Sequence, residues 1–223
     1  MLVIETSGNT CGVAVSVDGC VQAVRYLEDR SSLSQRIMGL VDETLQAASC
    51  AVHDLNGIAV SLGPGSWTGL RIGVTTAKAL AQGLRVPLVG VPTFDAAARR
   101  MRHAPDQRLF IVAPCRKGEV YVAAYARGQK VQSEYIAKTD DLIQQLREAE
   151  GPIALCGDAA DELQKALSYQ ANVGGTFAYY VLVGAADIAH ARLTQGDADD
   201  LFAVKPIYLA PSQAERVMGV RIE

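Results

Sequence analysis

The sequence predicts an α/β protein of two lobes, and three observations lead there. Val-rich runs bounded by turn residues alternate with helical runs, and the element order βββαβα occurs twice. The third is length: 223 residues are many for one domain and few for two large ones. With 49% apolar and 20% charged residues, the chain is suited to a packed core rather than to disorder.

The first lobe, residues 1–103, opens with a short apolar strand at 2–5 that enters a polar turn, Thr6-Ser7-Gly8-Asn9. Residues 11–17 and 21–27 are Val-rich and joined by Asp18-Gly19, a dipeptide that tolerates the positive φ a two-residue hairpin turn requires. Within 34–48, Ile37, Val41 and Leu45 recur every four residues with Met38 alongside, which predicts a helix. Residues 56–62 form a buried type of strand, Gly63-Pro64-Gly65 breaks it, 68–84 resume as helix, and 86–91 make another strand.

The second lobe, residues 104–223, repeats the order in reduced form. Strands are expected at 109–113, 119–126 and 131–137, a helix at 140–149, a strand at 153–156 and a helix at 159–167. Residues 173–183 carry no clear period, and 185–193 are helical. A doubled βββαβα order is the signature of the ribonuclease H-like, actin-like arrangement of two lobes facing a cleft.

Bulk properties exclude several functions. A formal charge of −3 argues against a chain that holds nucleic acid alone, because phosphate neutralisation supplies most of that affinity. The five cysteines Cys11, Cys20, Cys50, Cys115 and Cys156 are scattered and form no C-x-x-C pair, so reduced thiols in a cytoplasm are expected. The N-terminus does not read as a secretory signal, and no apolar run reaches the roughly 18 residues that span a bilayer. We therefore expect a soluble cytoplasmic protein without membrane contact.

The most informative stretch is GPGSWTGLRIG, Gly63 to Gly73. Glycines between a strand and a helix suit a phosphate cradle, since a helix N-terminus offers free amides. The loop lacks the Lys-Ser/Thr pair of a P-loop, and the G-x-G-x-x-G pattern fails at Thr68. The competing reading is a tight turn with Ser66 or Thr68 as helix cap. In the following helix Gly69, Gly73, Ala77 and Ala81 fall at four-residue intervals. Interior glycine costs roughly 1 kcal/mol against alanine, and close approach of another backbone is the usual compensation. That backbone belongs either to this lobe or to another chain.

These residues resemble the TsaB (YeaZ) family. The resemblance rests on Ile4-Glu5-Thr6-Ser7, GPGSWTGLRIG, Val91 to Ala96 (VPTFDA), Arg116 to Tyr121 (RKGEVY), Cys156 to Ala160 (CGDAA) and Lys205 to Glu215 (KPIYLAPSQAE), nearly the whole length. It implies an actin-like (ASKHA) fold and a non-catalytic role beside the homologous transferase TsaD, which places threonylcarbamoyl on adenosine 37 of tRNA. It further implies that TsaE, an ATPase, joins the assembly, and that the isolated chain forms a homodimer. Pairing in the family runs through N-lobe helices, so the partner surface is expected at Leu33, Ile37, Met38, Val41, Gly69, Leu70, Gly73, Val74 and Ala77. The sequence departs from the family at Glu5, where Asp is usual, at Leu33 for His, at Pro114 for Asp and at Ala210 for Arg. These departures weaken a catalytic or nucleotide role there and leave the scaffold role untouched.

Enzyme readings meet missing parts. TsaD-like enzymes use an H-x-x-x-H helix, whereas His53, His103 and His190 lie far apart, so no metal site is expected. An independent actin-like nucleotide-binding protein or ATPase is the alternative reading. Glu5, Thr6 and Ser7 with Gly157 and Asp158 would supply a weak ATP or ADP site, but Ala113-Pro114-Cys115-Arg116 has no paired acid. No cofactor is otherwise expected. A Ser or Cys hydrolase lacks both G-x-S-x-G and a positioned His. Arg99, Arg100, Arg102, His103 and Arg108, with Arg116 and Lys117, form a basic cluster suited to a few tRNA phosphate contacts within a complex, or simply to solvent.

Overall fold

Alternation along the strands sets the architecture of the protein, seen here in a computed structural model that describes residues 1–101, 104, 106–167 and 176–211. Strand β1 (Leu2–Glu5) is central in a five-stranded sheet ordered β3-β2-β1-β4-β5, with β2 (Cys11–Val17), β3 (Cys20–Leu27), β4 (Ile58–Ser61) and β5 (Leu88–Val91). The first three strands are an antiparallel meander, and β4 and β5 join in parallel. Asp18 and Gly19 both take positive φ, as the hairpin reading requires.

Because side chains alternate across a sheet, β1, β2 and β4 serve two cores. Leu2, Ile4, Val13, Val15, Ile58 and Val60 pack beneath α1 (Leu33–Ala47) and α2 (Trp67–Leu84). Val3, Ala14 and Ala59 face the opposite way, towards α3 (Thr93–Arg100) and α6 (Phe177–Thr194). The latter pair also meets the second sheet, ordered β8-β7-β6-β9. Its strands are β6 (Arg108–Arg116), β7 (Glu119–Ala126), β8 (Gln129–Lys138) and β9 (Ile153–Cys156). Its far face, with Phe110, Val112 and Val122, is covered by α4 (Thr139–Arg147) and α5 (Ala160–Leu167). The layers therefore run α1/α2, sheet, α3/α6, sheet, α4/α5, and the doubled βββαβα order is present.

Two elements depart from the sequence reading. The first lobe continues past β5 into α3, a helix of eight residues that pattern alone did not reveal. The ambiguous stretch around 173–183 resolves, over its described residues, into α6. Lying between two sheets, α6 buries Val181, Leu182, Ala185, Ala186 and Ala189, and its first ten residues, 177–186, carry no charged side chain to set a period. Gly184 lets it approach α3 so closely that a Cβ there would fall on the Ala96 carbonyl. Although α6 comes from the second half of the sequence, it packs across β1, β2, β4 and β5 and so belongs spatially with the first sheet. Among the described residues no helix is long and apolar enough to cross a membrane.

Candidate functional site

A cavity of about 380 Å³ opens between the two sheets at the carboxyl ends of β1, β6 and β9. The β1–β2 turn (Ser7, Gly8, Asn9) and the loop Gly65-Ser66-Trp67 line one wall, and Ala113 to Arg116 with Asp158 line the other. Ends of parallel strands are where open α/β folds bind ligands, so this cleft is the first place to look.

The loop GPGSWTG is wired to the β1 end rather than open to an anion. Ser66 caps α2, its Oγ accepting from Gly69 N–H at 3.2 Å, while its own N–H donates to Ser7 O at 2.9 Å. Gly63 N–H donates to Thr93 Oγ1 at 3.0 Å, and the Thr93 hydroxyl lies 3.2 Å from Ser7 Oγ. The glycines make room for this wiring: a Cβ at Gly65 would strike Ser7, and one at Gly69 or Gly73 would strike Thr6.

Glu5 is 1% exposed. Its Oε1 accepts from Ser7 N–H and Ser7 Oγ, both at 2.5 Å, and from Gly8 N–H at 3.1 Å, while Oε2 is buried with no hydrogen-bond partner among the described residues. Burial pushes its carboxyl above the ordinary glutamate range, against the opposing hydrogen bonds from Ser7 and Gly8. Asp158 follows Gly157, which takes φ +111 and lies against the Val112 carbonyl. Its Oδ2 accepts from Asn9 N–H at 2.5 Å, bridging the lobes, and burial likewise raises its pKa against the pull of the Asn9 amide and Arg30.

The five residues read as a weak nucleotide site are thus brought to one place, but their polar atoms are already engaged or buried. Glu5 turns onto its own loop, Asp158 caps a loop amide, and Thr6 Oγ1 is sealed under α2. An actin-like nucleotide site needs an acid on the first strand free to organise magnesium, and Glu5 here is not free. Pro114 stands exposed on the facing wall, where it offers no acid. The residues present do not fit a magnesium–nucleotide group.

The residues expected at the partner surface lie mostly inside the monomer. Of its nine residues, Leu33, Ile37, Val41, Gly69, Leu70, Gly73, Val74 and Ala77 are buried within the monomer, and only Met38, at 47%, is exposed. The apolar period on α1 marks the side that packs on the sheet, and the small-residue stripe on α2 accommodates Thr6 of the same chain. Outward positions on α1 are Ser34, Gln35, Arg36, Met38, Gly39, Asp42, Glu43, Gln46 and Ala47.

The remaining candidates are dispersed. Arg100 pairs with Asp187 at 3.2 Å and Arg116 pairs with Glu119, leaving Arg99, Arg108 and Lys117 exposed, while Arg102 and His103 lie outside the described residues. His53 is exposed, and His190 packs beside Gly19 at the far end of the first lobe. Among the described residues no three His, Cys, Asp or Glu side chains are placed to hold a metal. All five cysteines are free, and burial pushes the thiols of Cys11 and Cys156 up to about 11 and about 12.

Sequence reasoning missed the aromatic lip of the cleft. Trp67 stacks on Tyr208 with ring centroids 3.7 Å apart and planes 10° apart, and Arg71 lies over both rings. The WTGLR and KPIYL segments held the signal, but nothing in them announced that they meet.

Comparison with known proteins gives a consistent answer. The family model described as "TsaD: tRNA N6-adenosine threonylcarbamoyltransferase" matches residues 30–215. A protein of Escherichia coli strain K12 named "tRNA threonylcarbamoyladenosine biosynthesis protein TsaB" is 37% identical over 130 residues, 58% of this chain and 56% of that protein. The Bacillus subtilis strain 168 protein of the same name is 32% identical over 163 residues, 70% of each chain. The match thus spans little more than half of the first relative and about two thirds of the second. Among solved structures, YeaZ from Pseudomonas aeruginosa is similar with a TM-score of 0.69 at 20% identity, over 93% of this chain and 98% of that one. The activator of 2-hydroxyisocaproyl-CoA dehydratase from Clostridium difficile, with bound ADPNP, shares the fold with a TM-score of 0.59 at 8% identity, over 93% and 99% of the two chains.

Proposed function

The chain belongs to the TsaB (YeaZ) family, and from that premise we propose that it is a non-catalytic subunit of tRNA N6-threonylcarbamoyladenosine synthesis, pairing with and activating a TsaD-type transferase. The observation that carries this reading is the engagement of Glu5. The one acid on the first strand, where an actin-like enzyme would hold its metal–phosphate group, is 1% exposed and bonded to Ser7 and Gly8. A chain whose cleft is spent on its own loops acts through a surface.

The outward face of α1 supplies that surface. Gly39 sits in the interior of α1, and a Cβ there would meet nothing within 4 Å. No contact among the described residues explains a glycine that costs a helix roughly 1 kcal/mol. Close approach of a partner helix does, and the exposed Met38 beside it supplies adaptable apolar contact. Binding across this face favours whichever TsaD conformer fits it, which raises activity without any group entering the reaction. A TsaE-type ATPase joins the same assembly, tRNA is held mainly by the complex, and the isolated chain pairs with itself through the same face.

The test is tRNA modification reconstituted from purified TsaD, TsaC and TsaE, with and without this chain. Product formed only when the chain is added, and none from the chain alone, supports the reading. Equal product without it overturns the activating role.

A further inference from the structure

Three successive amides at the β1–β2 turn, those of Ser7, Gly8 and Asn9, point to anionic acceptors, as in a backbone nest. Both acceptors are carboxylates of this chain. Glu5 takes Ser7 and Gly8 from beneath, and Asp158 takes Asn9 from the opposite lobe, 149 residues away in sequence. The fit is close on every side: a Cβ at Gly8 would come within 2.9 Å of Asp158 Oδ2, and the Val112 carbonyl sits behind Gly157. Asp158 lines the cleft together with the cations Arg30 and Arg116 and the hydroxyl-bearing Ser66 and Thr68, groups that would otherwise suit a phosphate.

We propose that Asp158 is an internal anion that latches the two lobes together by occupying the anion position of the β1–β2 turn, and that it thereby excludes phosphate-bearing ligands from the cleft. The latch bridges the loop after β9 of the second sheet and the loop after β1 of the first across the cavity, so it governs cleft opening. A phosphate reaches the Asn9 amide only by displacing Asp158, and like charge opposes that entry.

Two variants of the full chain test it. Asp158→Ala removes the anion, and Gly8→Ala displaces it while keeping the charge, because the atom its Cβ meets is the end of a side chain. The readouts are hydrogen exchange at the Asn9 amide and titration with inorganic phosphate followed by the Gly8 and Asn9 amide shifts, with far-UV circular dichroism confirming the fold. Loss of a hydrogen bond to a charged acceptor should speed exchange at Asn9 by about tenfold or more in both variants. Phosphate should shift the Gly8 and Asn9 signals in Asp158→Ala and leave the wild type unchanged. Asn9 exchange equal to wild type in both folded variants overturns the latch. Phosphate binding to the wild type as tightly as to Asp158→Ala, or to neither, overturns the exclusion.

Discussion

Gly73 of α2 abuts Thr6 at the end of β1, so close that a Cβ on Gly73 would collide with the Thr6 hydroxyl. The helix therefore lies on the strand end by virtue of a missing side chain, and Thr6, next to the cleft-lining Ser7, is held beneath it.

Alanine at this glycine should be destabilising although alanine is the better helix former. Propensity favours Gly73→Ala by roughly 1 kcal/mol. Overpacking against Thr6 opposes it by up to about 3 kcal/mol, and at the close contact found here the net is a loss of up to about 2 kcal/mol. Gly39→Ala, where the added methyl meets nothing, should instead gain up to about 1 kcal/mol. Urea denaturation midpoints of the two variants should move in opposite directions, and equal shifts would refute the packing assignment.

Met38→Glu separates pairing from folding. The side chain is exposed, so stability should change by less than about 0.5 kcal/mol while co-purification with a TsaD-type subunit is lost. Ile37→Ala, one residue away but 3% exposed, should cost about 2–4 kcal/mol and weaken pairing only as far as it unfolds the chain. Retained pairing in Met38→Glu would move the partner surface elsewhere.

Glu5 gives the fold a pH dependence whose sign is set by burial. Its folded pKa lies above the unfolded value, so its stabilising contribution is complete below the ordinary glutamate range. That contribution declines as pH rises through the folded pKa. Glu5→Gln keeps an oxygen for Ser7 and Gly8 and should flatten this decline. Glu5→Ala leaves both amides without an acceptor and should cost about 2–3 kcal/mol. Midpoints collected from acid to neutral pH decide it, and parallel wild-type and Glu5→Gln profiles would show that Glu5 carries no such dependence.

How much of this was legible depended on whether the signal was local. Asp18-Gly19 announced its turn, and Ile37, Val41 and Leu45 announced the buried face of α1, because both signals lie within a few residues. The same period does not say whether a helix face meets its own sheet or a partner, which is why Gly69 and Gly73 were expected at a partner surface on the resemblance alone, with the facing backbone left open. The start of α6 was unreadable for the opposite reason, since residues 177–186, packed between two sheets, carry no charged side chain. Glu5, Thr6, Ser7, Gly157 and Asp158 were read together as one weak nucleotide site, and they do meet at one place. That Asp158 would spend its carboxylate on the amide of Asn9 is a product of topology, and no sequence period carries it.

Trp67 offers a direct probe of the cleft's lip because it is the only tryptophan. Its ring stacks on Tyr208, Arg71 lies 4.9 Å from its centroid, and Arg71 Nε donates to Tyr208 Oη at 3.1 Å. The stack fastens the segment after α6 to the start of α2. That segment is already held by Ile207 N–H on Leu62 O at 2.7 Å and by Lys78 Nζ on Val204 O at 3.0 Å. Tyr208→Ala removes one face of the sandwich and leaves those backbone anchors in place. We expect a shifted emission maximum, readier quenching of Trp67 by acrylamide, and a loss of about 1 kcal/mol in stability. Arg71→Ala should produce a smaller change in the same direction, since the cation–π contact at an exposed site is worth about 0.5–1 kcal/mol. Unchanged emission in Tyr208→Ala would mean that the rings do not stack in solution. The lip would then owe its position to Leu62 and Lys78 alone.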